Sequence, residues 1–268
     1  MAGHARRVRS ARVLALLLAA AALPALAGGI GEDAAAPEPP AGWTGTGELG
    51  FASARGNARS ESLNLRLELG RESERWKHGW HASALRAKGE VSGDFDGDGV
   101  SEQRYGLNAN RYELGLSNAF KYSKRNRIAA SARYENDDFS QYAYQLTLAL
   151  GYGRQLVETE RTTLETEIAP GYRRAREAET GRVESDAIFR GLLDFSHELT
   201  GNTRLVNRLL VESGADNTFA RNDLGVSVAM NEAFALKVGL QVRHNTDVDP
   251  DRRRTDTLTT INLVYSFR

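Results

Sequence analysis

Apolar and polar residues alternate with a period of two along most of the chain, and the last stretch shows this most sharply. In Thr255 to Phe267 (T-D-T-L-T-T-I-N-L-V-Y-S-F), Thr257, Thr259, Ile261, Leu263, Tyr265 and Phe267 share one side of a strand. Asp256, Thr260, Asn262 and Ser266 share the other with Leu258 and Val264. One side suits lipid and the other suits water. A helical reading of Ser60 to Arg71 fails, because Leu63, Leu65, Leu67 and Leu69 repeat every second residue and not every 3.6. The alternation predicts twelve strands, roughly at 43–51, 61–71, 75–88, 103–122, 127–136, 142–156, 163–175, 182–199, 204–213, 221–229, 234–244 and 255–267.

A soluble sandwich would alternate as well, so the polar face has to decide. It carries Arg66, Glu68, Arg111, Glu113, Arg133, Glu135, Glu165, Glu167, Arg173, Arg190, Asp194, Arg208, Glu212, Lys237 and Arg243. Aromatic residues gather toward strand ends: Trp43 and Phe51, Phe120 and Tyr122, Tyr142, Tyr144 and Tyr152, Tyr172, Tyr265 and Phe267. A charged inner face with aromatic girdles is the pattern of an all-β, transmembrane antiparallel barrel, whose strands need about ten residues to cross the hydrocarbon. A soluble periplasmic barrel that binds a ligand is the alternative, and it would turn the apolar face inward. Connectors after even-numbered strands are tight, as at Glu72 to Glu74 and Thr200 to Thr203. Those after odd-numbered strands are longer, as at Gly89 to Glu102 and Asn245 to Arg254. With twelve strands both termini then fall on the periplasmic side.

The start of the chain differs in kind. Met1 to Arg12 carries four arginines and no acid, Val13 to Leu26 is almost wholly Ala and Leu, and Ala25-Leu26-Ala27 is a small-x-small cleavage pattern. Residues 1–27 are expected to be a signal peptide cleaved after Ala27, and the 28–42 stretch, with three prolines, a disordered periplasmic linker to the barrel at 43–268. Without the four leader arginines, 31 basic residues stand against 35 acidic ones, which gives no reason to expect a nucleic-acid partner. No cysteine is present, so disulfides and thiolate metal sites are excluded. Outer-membrane lipid, and the assembly machinery through the C-terminal strand, are the expected partners of a monomer.

The opening W-T-G-T-G-E-L-G at Trp43 to Gly50, R-G-N at Arg55 to Asn57, Y-A-Y-Q-L-T-L-A-L-G-Y-G at Tyr142 to Gly153, I-A-P-G-Y at Ile168 to Tyr172 and the ending L-V-Y-S-F at Leu263 to Phe267 together resemble a known family. It is the exported β-barrel family of salt-induced outer-membrane proteins, domain of unknown function 481. The resemblance implies an outer-membrane location and no established activity, so it assigns no catalytic residue. Arg268 follows Phe267, whereas the family pattern ends on an aromatic residue.

Three local motifs could carry chemistry. Asp94-Phe95-Asp96-Gly97-Asp98-Gly99 places carboxylates at alternate positions before glycine, like the first half of a calcium loop. Glu102 could add an oxygen, although Tyr105 stands where the twelfth ligand belongs. An acidic solvated loop would look the same. His81 and Ser83 share a strand face, as base and nucleophile of a barrel lipid hydrolase would, but the sequence shows no third group to orient the histidine. Glu165 and Glu167 resemble a glycosidase couple and are better explained as lumen lining, because any barrel interior places i and i+2 on one face. The expected role is therefore structural or that of a narrow pore, with no enzymatic activity.

Overall fold

A computed structural model describes residues 42–55, 59–94, 96, 99–248 and 253–267. The leader and most of the linker, Gly56 and Asn57 of the R-G-N motif, Asp98 and Arg268 lie outside the described residues. The described chain forms twelve strands: β1 Trp43–Ala54, β2 Ser60–Glu72, β3 Trp76–Gly93, β4 Glu102–Lys121, β5 Asn126–Asp137, β6 Tyr142–Glu158, β7 Thr162–Glu177, β8 Val183–Thr200, β9 Thr203–Ser213, β10 Thr218–Ala229, β11 Phe234–Asn245 and β12 Thr255–Phe267. Each strand pairs antiparallel with its sequence neighbours, and β12 returns to β1, closing the barrel. Closure satisfies the backbone donors and acceptors between strands, which is what allows a sheet to sit in hydrocarbon.

Every predicted strand is present, and apart from Tyr142 the alternation assigns the faces of the residues named above correctly. Leu65 is 42% exposed and Ile261 65% exposed on the outside, whereas Glu135 and Glu212 inside are 2% and 0% exposed. A barrel with its leucines outside and its carboxylates inside is the inverse of a soluble ligand-binding barrel, so that alternative is set aside.

Two local expectations are corrected. Several strands run past the predicted ends, β3 to Gly93 and β1 to Ala54, so the connectors 138–141, 178–182 and 214–217 are nearly as short as those at the opposite end. Backbone pairing continues beyond the apolar band, where alternation no longer marks it. The register of β6 against β7 also shifts between Tyr142 and Tyr144. The extra residue reverses the parity, so Tyr142 is buried at 5% exposure and does not join the outer girdle.

The seam between the first and last strands is the shortest in the barrel. β1 pairs with β2 from Trp43 to Ala54, but with β12 only from Gly45 to Leu49. At its end the Phe267 ring lies over Gly45, filling the space that a side chain there would take. Girdle contacts flank the seam, with Trp43 and Trp80 at 4.9 Å and Phe234 and Tyr265 at 5.3 Å between ring centroids.

Candidate functional site: the charged lumen

Parity turns acids and bases from nearly every strand into the lumen, where they pair across it. Glu113 on β4 is the hub. One of its oxygens accepts from Arg221 Nη1 on β10 (2.6 Å) and lies 3.4 Å from Arg133 Nη1 on β5, and the other meets His81 Nε2 at 2.7 Å. Arg133 also donates to Glu135 Oε2 at 2.7 Å and to Glu212 Oε2 on β9 at 2.5 Å. Arg243 of β11 closes on Glu135, and Arg190 of β8 on Glu167 of β7. In a ring of twelve, β4 stands opposite β10 and β5 opposite β11, so the Arg221–Glu113 and Arg243–Glu135 bonds span the barrel.

Phe219 sits in the middle of the layer at 1% exposure, with the guanidinium carbons of Arg133 and Arg243 each 5.2 Å from its ring centroid. Burying so many charges is tolerable because each faces an opposite charge, and removing one partner would strand the other. Toward the longer loops, Asn217 (1% exposed) ties the 214–217 connector down. Its Oδ1 accepts from the backbone N–H groups of Thr246 and Asp247 at 3.1 and 3.2 Å, and its carbonyl accepts from Arg173.

On the other side of the layer the lumen opens into a polar vestibule of about 1000 Å³ that reaches the turns at 201–202 and 230–233. Lys237 and Glu48 pair there at 2.6 Å, Arg208 and Asp194 at 2.5 Å, and Arg66 and Asp223 at 3.5 Å. The vestibule stops at Arg111, Gln241 and Asp223, linked by bonds from Arg111 to Gln241 (2.8 Å) and from Gln241 to Asp223 (2.6 Å).

All fifteen charged residues assigned to the inner face lie inside. Glu165 binds Lys77 and Arg127, each at 2.9 Å, and Glu167 binds Arg190, which makes both acids part of the lumen lining. Sequence reasoning passed over Arg221 and Asp223, although parity along β10 would have found them, and it began that strand too late to include Phe219. The third group missing beside His81 and Ser83 exists: it is Glu113, which pairs with Ser83 in register and holds His81. It is already committed to two arginines. Ser83 lines the vestibule, and no hydrogen bond joins it to His81 among the described residues. The ring of His81 is laid over Gly115, where a side chain would overlap it. His81 thus belongs to the charge layer.

The other described histidines are also engaged locally, His78 stacked between Trp76 and Trp80, His197 bonded to Thr162 and His244 to Thr255. In the acidic loop, Asp94 Oδ2 accepts from Gly99 N at 2.9 Å, Gly99 adopts φ +83°, and Glu102 pairs with Arg104 at 2.8 Å. No group of three potential ligands is assembled among the described residues, which do not include Asp98.

Residues 47–267 match the model of the family described as "Protein of unknown function, DUF481". The chain belongs to this family. One relative is "Uncharacterized protein YdiY" of Escherichia coli (strain K12), 25% identical over 219 residues, which are 81% of each chain. Among solved structures, the NanC porin superposes with a TM-score of 0.47 at 11% identity, covering 85% of this chain and all of that one. The translocator domain of the autotransporter NalP from Neisseria meningitidis superposes with a TM-score of 0.44 at 10% identity, over 84% and 87% of the two chains. This member of the family is an outer-membrane β-barrel with an apolar outer wall and an ion-paired lumen.

Proposed function

We propose that the protein is a sealed barrel of the cell envelope, a structural element or at most a narrow ionic path, and not a route for bulk solute diffusion. One observation carries this reading: the layer of Glu113, Arg133, Glu135, Glu212, Arg221 and Arg243 bonds across the lumen around Phe219. Any solute larger than a small ion would have to break several buried ion pairs at once. The vestibule supports a water-filled recess on the periplasmic side, mixed in charge and therefore weak in selectivity.

The proposal includes the chain's route to its site. The leader is cleaved after Ala27, residues 28–42 tether the barrel on the periplasmic face, and the strand ending at Phe267 is the element that the assembly machinery engages. The Asp94 to Glu102 loop, with Asp96 and Asp98, is proposed as a weak calcium site at the opposite end.

Planar-bilayer recording on the purified barrel tests the main reading. Wild type should give small or no steps, and Phe219→Ala combined with Arg133→Gln should give larger ones. Large, steady, porin-like conductance from wild type would overturn it.

A further inference from the structure

One face of the outer wall carries a polar belt that the lumen does not use. Tyr112 on β4, Asn136 on β5, Tyr144 on β6 and Arg176 on β7 lie on one hydrogen-bonded row. Tyr134 sits between the other tyrosines, its ring centroid 6.0 Å from that of Tyr112 and 6.1 Å from that of Tyr144. Arg174 shares the row of Tyr134, and Arg86 on β3 faces Asn110, diagonally next to Tyr112. Arg86, Arg174 and Arg176 are exposed, and none has a hydrogen-bond or ion-pair partner among the described residues. An unpaired arginine on a lipid-facing wall is costly in hydrocarbon and stable at headgroup level, where a phosphate can take its bidentate donors. Tyrosines favour the same level.

Directly toward the membrane centre from this belt, the wall is hollow. The next two rows bring the small side chains of Ala130 and Ala132 beside Pro170, walled by Leu116, Leu148 and Leu150, around a depression of about 730 Å³. Leu148 and Leu150 are 47% and 60% exposed along it. In a bilayer such a hollow is filled by hydrocarbon, because an unfilled one forfeits dispersion contacts along its whole lining.

We propose that this face binds a lipid bearing two phosphate groups in the leaflet on the long-loop side, with an acyl chain laid in the hollow. Arg86 and Arg176 are four strand spacings apart, about 19 Å along the wall. One phosphate cannot meet both, whereas two phosphates on one headgroup can, one at Arg86 and the other at Arg174 and Arg176, with tyrosine hydroxyls between them. The site is independent of whether the lumen conducts.

Native mass spectrometry of the delipidated barrel in detergent tests it, with bisphosphorylated lipid A, its dephosphorylated form and inorganic phosphate as probes. Wild type should retain one bisphosphorylated lipid, shed the dephosphorylated form, and keep the lipid against inorganic phosphate. Arg86→Gln with Arg176→Gln should lower retention about tenfold or more, and the paired Lys substitutions should restore most of it. Ala132→Phe should lower retention without changing charge, with the shifted gel mobility of the folded barrel intact in every variant. Equal retention by wild type and the glutamine variant, equal retention of the two lipids, or dimerisation through this face with lipid binding unchanged would overturn the assignment.

Discussion

Arg221 of β10 reaches across the barrel to Glu113 of β4, Nη1 to Oε2 at 2.6 Å, between strands that stand opposite each other in the ring. With Arg243 of β11 on Glu135 of β5, this bond links opposite walls of the barrel through side chains alone. The layer is built of ion pairs packed around Phe219, so it depends on its charged partners being present.

Truncating the layer should therefore cost stability out of proportion to its size. Glu212→Leu leaves Arg133 without its 2.5 Å partner and removes a carboxylate 4.0 Å from Arg190. Breaking one member of a buried ion pair costs about 3–5 kcal/mol. The variant should unfold at clearly lower urea in a lipid-vesicle titration, whereas Arg204→Gln, in an exposed pair with Glu198, should leave the midpoint within error. Equal midpoints would show that the layer is not stabilising.

The two faces of β2 should respond oppositely to charge. Leu65→Arg places a guanidinium in lipid, at about 2–4 kcal/mol near mid-membrane. Arg66→Leu removes a 3.5 Å contact to Asp223, which retains Arg221 at 3.1 Å, and a 3.9 Å contact to Glu68, which retains Arg208 at 3.7 Å. Folded yield in lipid, read from gel mobility with and without heating, should fall much further for the first variant.

Closure at the seam should be sensitive to Gly45. Because the Phe267 ring occupies the space above it, Gly45→Leu should slow folding and lower folded yield, and adding Phe267→Ala should recover part of the loss. A double variant no better than Gly45→Leu would mean that the ring is not the obstacle.

For the acidic loop, terbium luminescence on wild type and on Asp96→Asn with Asp98→Asn should separate a weak site, about 0.1–1 mM, from none. Asp94 Oδ2 accepts from Gly99 N at 2.9 Å, so a cation held by this carboxylate would share it with the backbone. Indistinguishable titrations would leave this loop an ordinary acidic turn.

Much of this protein is local and therefore written in the chain. Strand number, the outward Leu65 and Ile261, and the inward Glu135 and Glu212 all follow from a period of two, a property of the extended backbone that needs no partner. The leader expected at 1–27 rests on the same kind of local composition. What parity cannot carry is a change of phase or a distance through space. The shift beside Tyr142 reverses a side chain without any mark in composition. That Arg221 meets Glu113, 108 positions away along the chain, depends on how many strands close the ring, how they are staggered, and how far an arginine reaches. Only the closed barrel fixes those three quantities together, which is why the charged lining was legible in the sequence and the bonds across the lumen were not.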